Sequence, residues 1–390
     1  MIFKRLAIFC STLTLAACSI PQPAAFYDHP ATAAGPGTLI NAQPYDPTIP
    51  GAAAYRILYN STDVHGAPIP VSGVVYIPTT PAPPGGRNII AWAHPTTGAA
   101  PGCAPSLNNN RTGGISMADS IPGLAAFIAA GDIVAATDYP GLGTPEPHPY
   151  LIGSEEAYSI IDAARAARQL PGADANGKYA AWGHSQGAQA VMFVGQISKQ
   201  YAPDMTLVGV AAAAPPSDLL HELTVPFDGP SGRLFGAYVY DTWSQIYHVP
   251  ITSVVDPRAI PNVQKTASQC ISSLGEIISA GLAAHSLNPI FLSHPPESTP
   301  PWPKLFTENS PGHSPAQAPI HIIQGTADTT VEPKYTNTFA AKLCAQHATL
   351  DYQKLKNIPH LTTAYKSLPL TIPWIANRFA GTKAPDNCKT

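Results

Sequence analysis

Charge is what this chain has least of. Lys, Arg, Asp and Glu together make up 12% of its 390 residues, against ~25% in an average soluble protein. The net charge is −3 and no run of Lys or Arg occurs, so the surface offers no electrostatic footprint to a phosphate backbone or a strongly anionic membrane. Nucleic acid is thereby an unsuitable partner. No two cysteines stand in C-x-x-C spacing, which argues against zinc and thioredoxin-like chemistry. His148, His221, His248, His285, His294, His313 and His321 are dispersed without metal-ligand spacing, so no metal or other cofactor is expected. The mature region also lacks internal repeats and low-complexity tracts. What the chain has in excess is proline, 44 residues, which makes for a turn-rich, nearly neutral surface.

The first residues read as an export signal. Lys4 and Arg5 supply the positive start, and the apolar stretch from Leu6 to Leu15 is too short to span a bilayer. Leu15-Ala16-Ala17-Cys18 then resembles a bacterial lipobox, which makes residues 1–17 a lipoprotein-type signal peptide and Cys18 the expected lipidation site. An ordinary signal peptide with an incidental Cys is the alternative. The expected destination is the cell envelope, anchored through Cys18 at the outer membrane or in the periplasm, or secretion. Residues 18–50, rich in Pro and Ala, read as a tether to a folded domain spanning 51–390. Beyond Cys10 and Cys18 four cysteines remain, Cys103, Cys270, Cys344 and Cys388. In an oxidising compartment they predict two disulfides, with three pairings open.

The folded region alternates strand and helix. Ala53 to Asn60 and Ile69 to Ile77, separated by Asp63-Val64-His65-Gly66, predict an antiparallel hairpin. The continuous apolar runs Asn88 to Ala93 and Ile133 to Thr137 predict strands buried on both faces of a parallel sheet. Ser154 is a good N-cap for a helix carrying Ala157, Ile160, Ile161, Ala164 and Ala167 at helical spacing. A strand at Lys178 to Trp182, a sharp turn and a helix at Ala188 to Ser198 follow. Leu207 to Ala213, Ile320 to Gln324 and Leu350 to Leu355 continue the strands, and a last helix is interrupted around Pro369 and Pro373. Residues 216–318 break the alternation and predict an inserted cap, with a helix at Ile271 to Ala284 presenting Ile277, Ile278 and Leu282 on one face.

The chemistry-bearing motif is Gly183-His184-Ser185-Gln186-Gly187, a G-x-S-x-G between a predicted strand and a predicted helix. That context marks the nucleophile elbow of the α/β-hydrolase fold, a mostly parallel sheet with helices on both faces. Ser185 is the expected nucleophile. In this fold the acid and the base follow in the order acid, His. Asp328 lies in the loop after Ile320 to Gln324, and His360 follows the next strand; Asp351 and His347 are the rival acid and base. Asp138, before the nucleophile, reads as structural. The oxyanion donors are expected to be the backbone N–H groups of Gln186 and of Thr96, since Pro95 has none to give.

These segments resemble a known family. Trp92-Ala93-His94-Pro95-Thr96-Thr97-Gly98 followed by Cys103-Ala104-Pro105-Ser106, Asp138-Tyr139-Pro140-Gly141-Leu142-Gly143, the Ser185 motif and the Asp328 and His360 segments together resemble the secretory lipase family, some of whose fungal members carry a large helical lid. The resemblance implies hydrolysis of acyl esters through an acyl-enzyme, a lid in the segment after Pro215, and disulfides joining Cys103 to Cys270 and Cys344 to Cys388. Two positions depart from the family pattern: Pro95, where Gly is expected, and Ala188, where a second Gly often follows Gly187. The expected substrate is a small-molecule acyl ester or lipid such as an acylglycerol. A short-chain esterase, thioesterase or peptidase of the same fold is the neighbouring reading, and an inert lipid-anchored binding protein is the reading from a different class. Oligomeric state is not legible.

Overall fold

The computed structural model describes residues 25–46, 49–108, 116–224 and 229–388. The export and lipidation residues, including Cys18, lie outside the described residues. Nine strands are present among them: β1 (Leu39–Pro44), β2 (Ala52–Thr62), β3 (Pro68–Pro78), β4 (Arg87–Ala93), β5 (Ile133–Thr137), β6 (Ala175–His184), β7 (Thr206–Ala213), β8 (Ile320–Gly325) and β9 (Leu350–Leu355). They form one sheet in the order β1-β2-β3-β5-β4-β6-β7-β8-β9. The β1, β2 and β3 pairings and the β3–β5 pairing are antiparallel; from β5 to β9 the sheet is parallel.

The helices are α1 (Met117–Ser120), α2 (Leu124–Ala129), α3 (Gly153–Ala167), α4 (Gln186–Tyr201), α5 (Leu219–Thr224), α6 (Pro230–Ile246), α7 (Ile260–Ala267), α8 (Leu274–His285), α9 (Trp302–Glu308), α10 (Pro333–Ala345) and α11 (Thr363–Phe379). The continuous apolar runs in the central strands follow from burial on two faces. In β4, Ile89, Ala91 and Ala93 pack with residues of α3 and α4. Ile90 and Trp92 point the other way, into a cluster with α2 and α11. Trp92 pairs in register with Trp182 of β6, their rings 5.6 Å apart.

Between β7 and β8, helices α5 to α9 gather a separate buried cluster around Leu219, Trp243, Val263, Trp302 and Phe306, joined by Tyr150, Leu151 and Ile152 from the approach to α3. The Cys103–Cys270 disulfide ties this region to the loop after β4, and Cys344–Cys388 ties α10 to the chain's end; these are the pairings the family resemblance implied. The first bridges a sequence separation of 167 residues, so its loss releases much denatured-state entropy. Replacing Cys103 and Cys270 together with Ser is expected to lower unfolding stability by ~2–4 kcal/mol, read as a shift in the urea midpoint under non-reducing conditions.

Four expectations are corrected. The segment read as tether is folded from Ala25 onward among the described residues: Phe26 and Tyr27 are buried against Leu58, and β1 hydrogen-bonds to β2. Pro and Ala content concealed two aromatics that have a pocket to fill. Ser154 is not the N-cap of α3, which begins one residue earlier. Buried N–H groups at its approach and start are instead taken by side chains, Leu151 N–H by Glu156 and Gly153 N–H by Asn309. The last helix is continuous, with Pro369 and Pro373 inside it. Both prolines lie on the exposed side, where the carbonyls they leave unbonded can reach water. Finally, the helix predicted over Ile271 to Ala284 is Leu274–His285, with Ser273 accepting the Glu276 N–H as its cap.

Candidate active site

The turn from β6 into α4 holds Ser185 at φ 55°, ψ −120°, a conformation a non-glycine residue adopts only under constraint. The constraint is close packing. A Cβ on Gly183 would run into the Gly187 carbonyl, and one on Gly187 into the Ala93 carbonyl. The two glycines therefore let the turn press against the end of β4, while Ser185 N–H is fixed to the Ala213 carbonyl at 3.0 Å. The Ser185 hydroxyl lies at the head of α4, whose first-turn N–H groups have no intrahelical partners and can face a developing negative charge.

Asp328 and His360 come to this hydroxyl from the loops after β8 and β9. His360 Nε2 lies 2.8 Å from Ser185 Oγ, and His360 Nδ1 lies 2.8 Å from Asp328 Oδ2. The other carboxylate oxygen, Oδ1, accepts the N–H groups of Thr330 at 2.9 Å and Val331 at 2.8 Å, and Gln324 Nε2 donates to Oδ2 at 3.1 Å. Burial opposes ionisation of Asp328. The hydrogen bonds from His360, Val331 and Thr330 outweigh it and hold the carboxyl below its ordinary value. Hydroxyl, imidazole and carboxylate thus stand in hydrogen-bonded sequence, an arrangement that can withdraw the serine proton and leave Nδ1–H fixed on the carboxylate.

Thr96 and Gln186 both border a small cavity that opens on Ser185, with Tyr150, Leu151, Leu219, Glu222, Leu223 and Phe235 among its walls. Its volume is about 60 Å³. Thr96 Oγ1 lies 3.1 Å from the buried Tyr150 hydroxyl, which steadies the loop after β4. The side chain of Gln186 is pinned behind the serine. Its amide nitrogen donates to Glu156 Oε1 at 2.7 Å and to His148 Nε2 at 3.1 Å. His148 is held neutral, its pKa pushed down to about 3 by burial, so that Nδ1–H donates to the Pro140 carbonyl at 2.9 Å and Nε2 is free to accept. Burial pushes the Glu156 carboxyl well up, favouring the neutral acid. Tyr150, His148 and Glu156 gave no signal in the sequence: Glu156 falls in the first turn of α3, an ordinary place for an acid, and His148 reads as one dispersed histidine among several.

The sequence profile described as "Secretory lipase" matches residues 114–231 and 303–387, more than half of the chain. The chain belongs to the secretory lipase family. A relative from Mycobacterium tuberculosis, named a probable inactive lipase, is 23% identical over 381 residues, covering 94% of this chain and 82% of its own. Lipase A of Arthroderma benhamiae is 22% identical over 358 residues, covering 87% of this chain and 73% of its own. Among solved structures, Candida antarctica lipase A superposes with a TM-score of 0.78 at 20% identity, covering 95% of this chain and 89% of that one. The fold is accordingly that of the α/β-hydrolases.

The two positions that depart from the pattern expected of the family, Pro95 and Ala188, are each accommodated locally. At Pro95 the loop is braced from below: the Tyr139 hydroxyl donates to the His94 carbonyl at 2.9 Å, and His94 Nε2 lies 3.2 Å from the Asp138 carbonyl. Asp138 in turn accepts from Ser72 Oγ, Ser106 Oγ and Ser106 N–H, which engages its carboxylate structurally. Ala188 is fully buried at the start of α4, its methyl filling the space a glycine would leave. The rival acid Asp351 is paired elsewhere, 2.9 Å from His321 Nδ1. Within its strand this carboxylate has a partner across the sheet, because His321 of β8 is in register with it. His347 stands just past the end of α10. Among the described residues, no group of three or more His, Cys, Asp or Glu is placed to hold a metal ion.

Proposed function

We propose that this chain hydrolyses carboxylic esters through an acyl-enzyme on Ser185. The observation that supports this most is the continuous 2.8 Å contact from Ser185 Oγ through His360 to Asp328. Ser185 Oγ attacks the ester carbonyl as His360 Nε2 takes its proton. The tetrahedral oxyanion is stabilised by the N–H groups of Gln186 and Thr96, and His360 returns the proton to the departing alcohol. Water repeats the sequence on the acyl-enzyme and releases the acid. Asp328 holds the imidazole tautomer. The alternative, an inert protein that keeps the fold, draws support from the name of the M. tuberculosis relative.

The cavity favours a short acyl group over a long one. At about 60 Å³ it has roughly the volume of two liquid waters, at ~30 Å³ each, far below the ~300–1,000 Å³ of a pocket for a larger ligand. Glu222 stands in its wall with a carboxyl pushed up to about 7 by burial. A partly ionised wall is a poor neighbour for a long alkyl chain. The test is a series of p-nitrophenyl esters from acetate to palmitate, run beside labelling with a serine-reactive phosphonate. Turnover is expected to peak at acetate or butyrate. A palmitate peak would instead mean that α5 and α6 move aside and that the long-chain lipase reading is right; no labelling and no turnover would establish the inert reading.

A second expected result concerns the support behind Gln186. In Glu156→Ala the Gln186 amide loses its shorter contact while remaining buried, and kcat is expected to fall ~10-fold with KM little changed. Glu156→Gln can still accept at Oε1 and is expected to stay within about threefold of the parent. Equal losses in the two variants would make Glu156 a packing residue alone.

The proposed organisation adds a signal peptide at 1–17, lipidation at Cys18, and an inserted cap at 216–318 within the hydrolase domain. Export is consistent with the family's secretory members, and the mass of the mature N-terminal peptide tests the anchor directly.

A further inference from the structure

The cavity that opens on Ser185 is mostly apolar, with Leu151, Leu219, Leu223, Phe235 and Val331 supplying much of its lining. Against these, Glu222 is the single charged type among the lining residues, and it comes from α5, one of the helices between β7 and β8. A pocket of this composition uses its few polar groups to fix what binds and how. A carboxylate in such a wall needs a reason, because taking it out of water without a partner is costly.

Holding the start of α5 accounts for one of its two oxygens. Oε1 accepts the N–H groups of Ser217 at 2.9 Å and Asp218 at 3.0 Å, which fixes the turn into the helix. Both bonds fall on the same atom, and Oε2 makes no hydrogen bond among the described residues. The charged neighbours that act on this carboxyl, Asp218 and Asp328, are both acids; together with burial, the larger cause, they hold it up at about 7. A donor arriving at Oε2 would meet an acceptor with no competing cation.

Most other polar groups of the wall are engaged elsewhere. Thr96 and Tyr150 are bonded to each other through their hydroxyls, the Gln186 amide nitrogen is taken by Glu156 and His148, and Ser185 Oγ faces His360. The open carboxylate oxygen is thus an acceptor kept for what enters the cavity. At about 60 Å³ the space admits only a few non-hydrogen atoms, so an acyl group held on Ser185 that fills it ends within reach of Glu222.

Of the donors such a group can carry, hydroxyl fits better than ammonium. An ammonium would have to leave water, and it would sit near His360 as that imidazole gains its proton, opposing the transfer. A hydroxyl brings no charge, donates to the carboxylate, and accepts from the acid when it is protonated.

We propose that Glu222 is a specificity residue that selects short acyl groups bearing a hydroxyl, so that the preferred substrates of this chain are esters of short hydroxy acids. The inference rests on the esterase reading and deepens it by naming the substrate class. The covalent steps stay as given above: the ester C–O bond breaks as the acyl bond to Ser185 Oγ forms, and water then releases the hydroxy acid. The substrate hydroxyl takes no part in them and hydrogen-bonds to Glu222 Oε2 throughout.

The test is a ratio of kcat/KM for two esters of one shape, measured on one preparation, so that it does not depend on how much of the protein is folded. Ethyl 2- and 3-hydroxybutyrate, each as both enantiomers, are set against ethyl 2- and 3-methylbutyrate, with every rate divided by that of hydroxide alone. The best hydroxy ester is expected to exceed its methyl counterpart roughly 10–100-fold in the parent, as for one hydrogen bond to a charged group. In Glu222→Leu the ratio is expected to fall to about one or below. Glu222→Gln keeps its carbonyl oxygen on the two backbone N–H groups and turns its amide nitrogen to the cavity, where a hydroxyl can accept. Its ratio is expected to stay within about threefold of the parent's, which keeps the test decisive if the leucine variant does not fold. A parent ratio near one, a ratio unchanged in Glu222→Leu, or a hydroxyl preference lost in Glu222→Gln would each overturn the proposal and leave ester hydrolysis standing. So would faster turnover of ethyl 3-aminobutyrate than of the hydroxy esters, which would make the wall a reader of positive charge. No turnover of any ester and no phosphonate labelling would instead remove the esterase reading, and this inference with it.

Discussion

Ser185→Ala is expected to lower kcat/KM toward p-nitrophenyl acetate by ~10⁴-fold or more and to abolish phosphonate labelling. The size follows from what is removed. Without Oγ there is no acyl-enzyme, and the residual rate can come only from an oxyanion site that still polarises the carbonyl for attack by water. The variant is a clean probe because the fold does not depend on the hydroxyl. The constrained backbone at φ 55° is imposed by Gly183 and Gly187 and by the hydrogen bond from Ser185 N–H to Ala213, all of which an alanine keeps. His360 keeps its contact with Asp328. An unchanged circular dichroism spectrum and urea midpoint should accompany the loss. Turnover that survives the substitution would place the chemistry on another residue and remove the basis of the esterase reading.

The sequence carried the fold and the three side chains that meet at the candidate site because both are encoded by local patterns. Buried parallel strands read as unbroken apolar runs, as in Ile133 to Thr137, now fully buried in β5. The elbow around Ser185 is a pentapeptide whose glycines have one steric purpose. Asp328 and His360 were legible because each follows a strand of the parallel sheet, so chain order alone places them at the same sheet end as Ser185. What stayed hidden was built from contacts between distant segments. Gln186 meets Glu156 and His148 across 30 and 38 residues, and neither partner has a local pattern that separates it from an ordinary helix acid or an ordinary histidine. The folded character of residues 25–46 was hidden for a similar reason: Phe26 and Tyr27 are stabilised by Leu58 and Ser106, not by their own Pro- and Ala-rich surroundings. The apolar positions of α8 were visible as a stripe. Their exposure was not, because periodicity tells which residues share a face and is silent on which face is covered.

The carboxylate is best tested by Asp328→Asn, for which the surrounding hydrogen bonds dictate the outcome. Oδ1 accepts two backbone N–H groups, from Thr330 and Val331, so an asparagine must place its carbonyl oxygen there to avoid leaving both donors unsatisfied. The amide nitrogen then faces His360 Nδ1. It donates where the carboxylate accepted, and this forces the imidazole into the tautomer with its proton on Nε2, aimed at Ser185 Oγ. A base already carrying a proton at that atom cannot take the serine's. The expected loss is ~10⁴-fold in kcat, of the order seen when a triad carboxylate is replaced by its amide, with KM nearly unchanged because Asp328 is not among the cavity walls. Substitution is needed because acid cannot do the same experiment: the carboxyl is held below its ordinary value. For a carboxyl depressed in this way the stabilisation is present above its unfolded-state value near ~4 and is lost as pH falls through the lower folded-state value. Protonating Asp328 therefore weakens the fold at the same time. A rate for Asp328→Asn within tenfold of the parent would show that the imidazole is oriented by something else and that the 2.8 Å contact with Asp328 is structural.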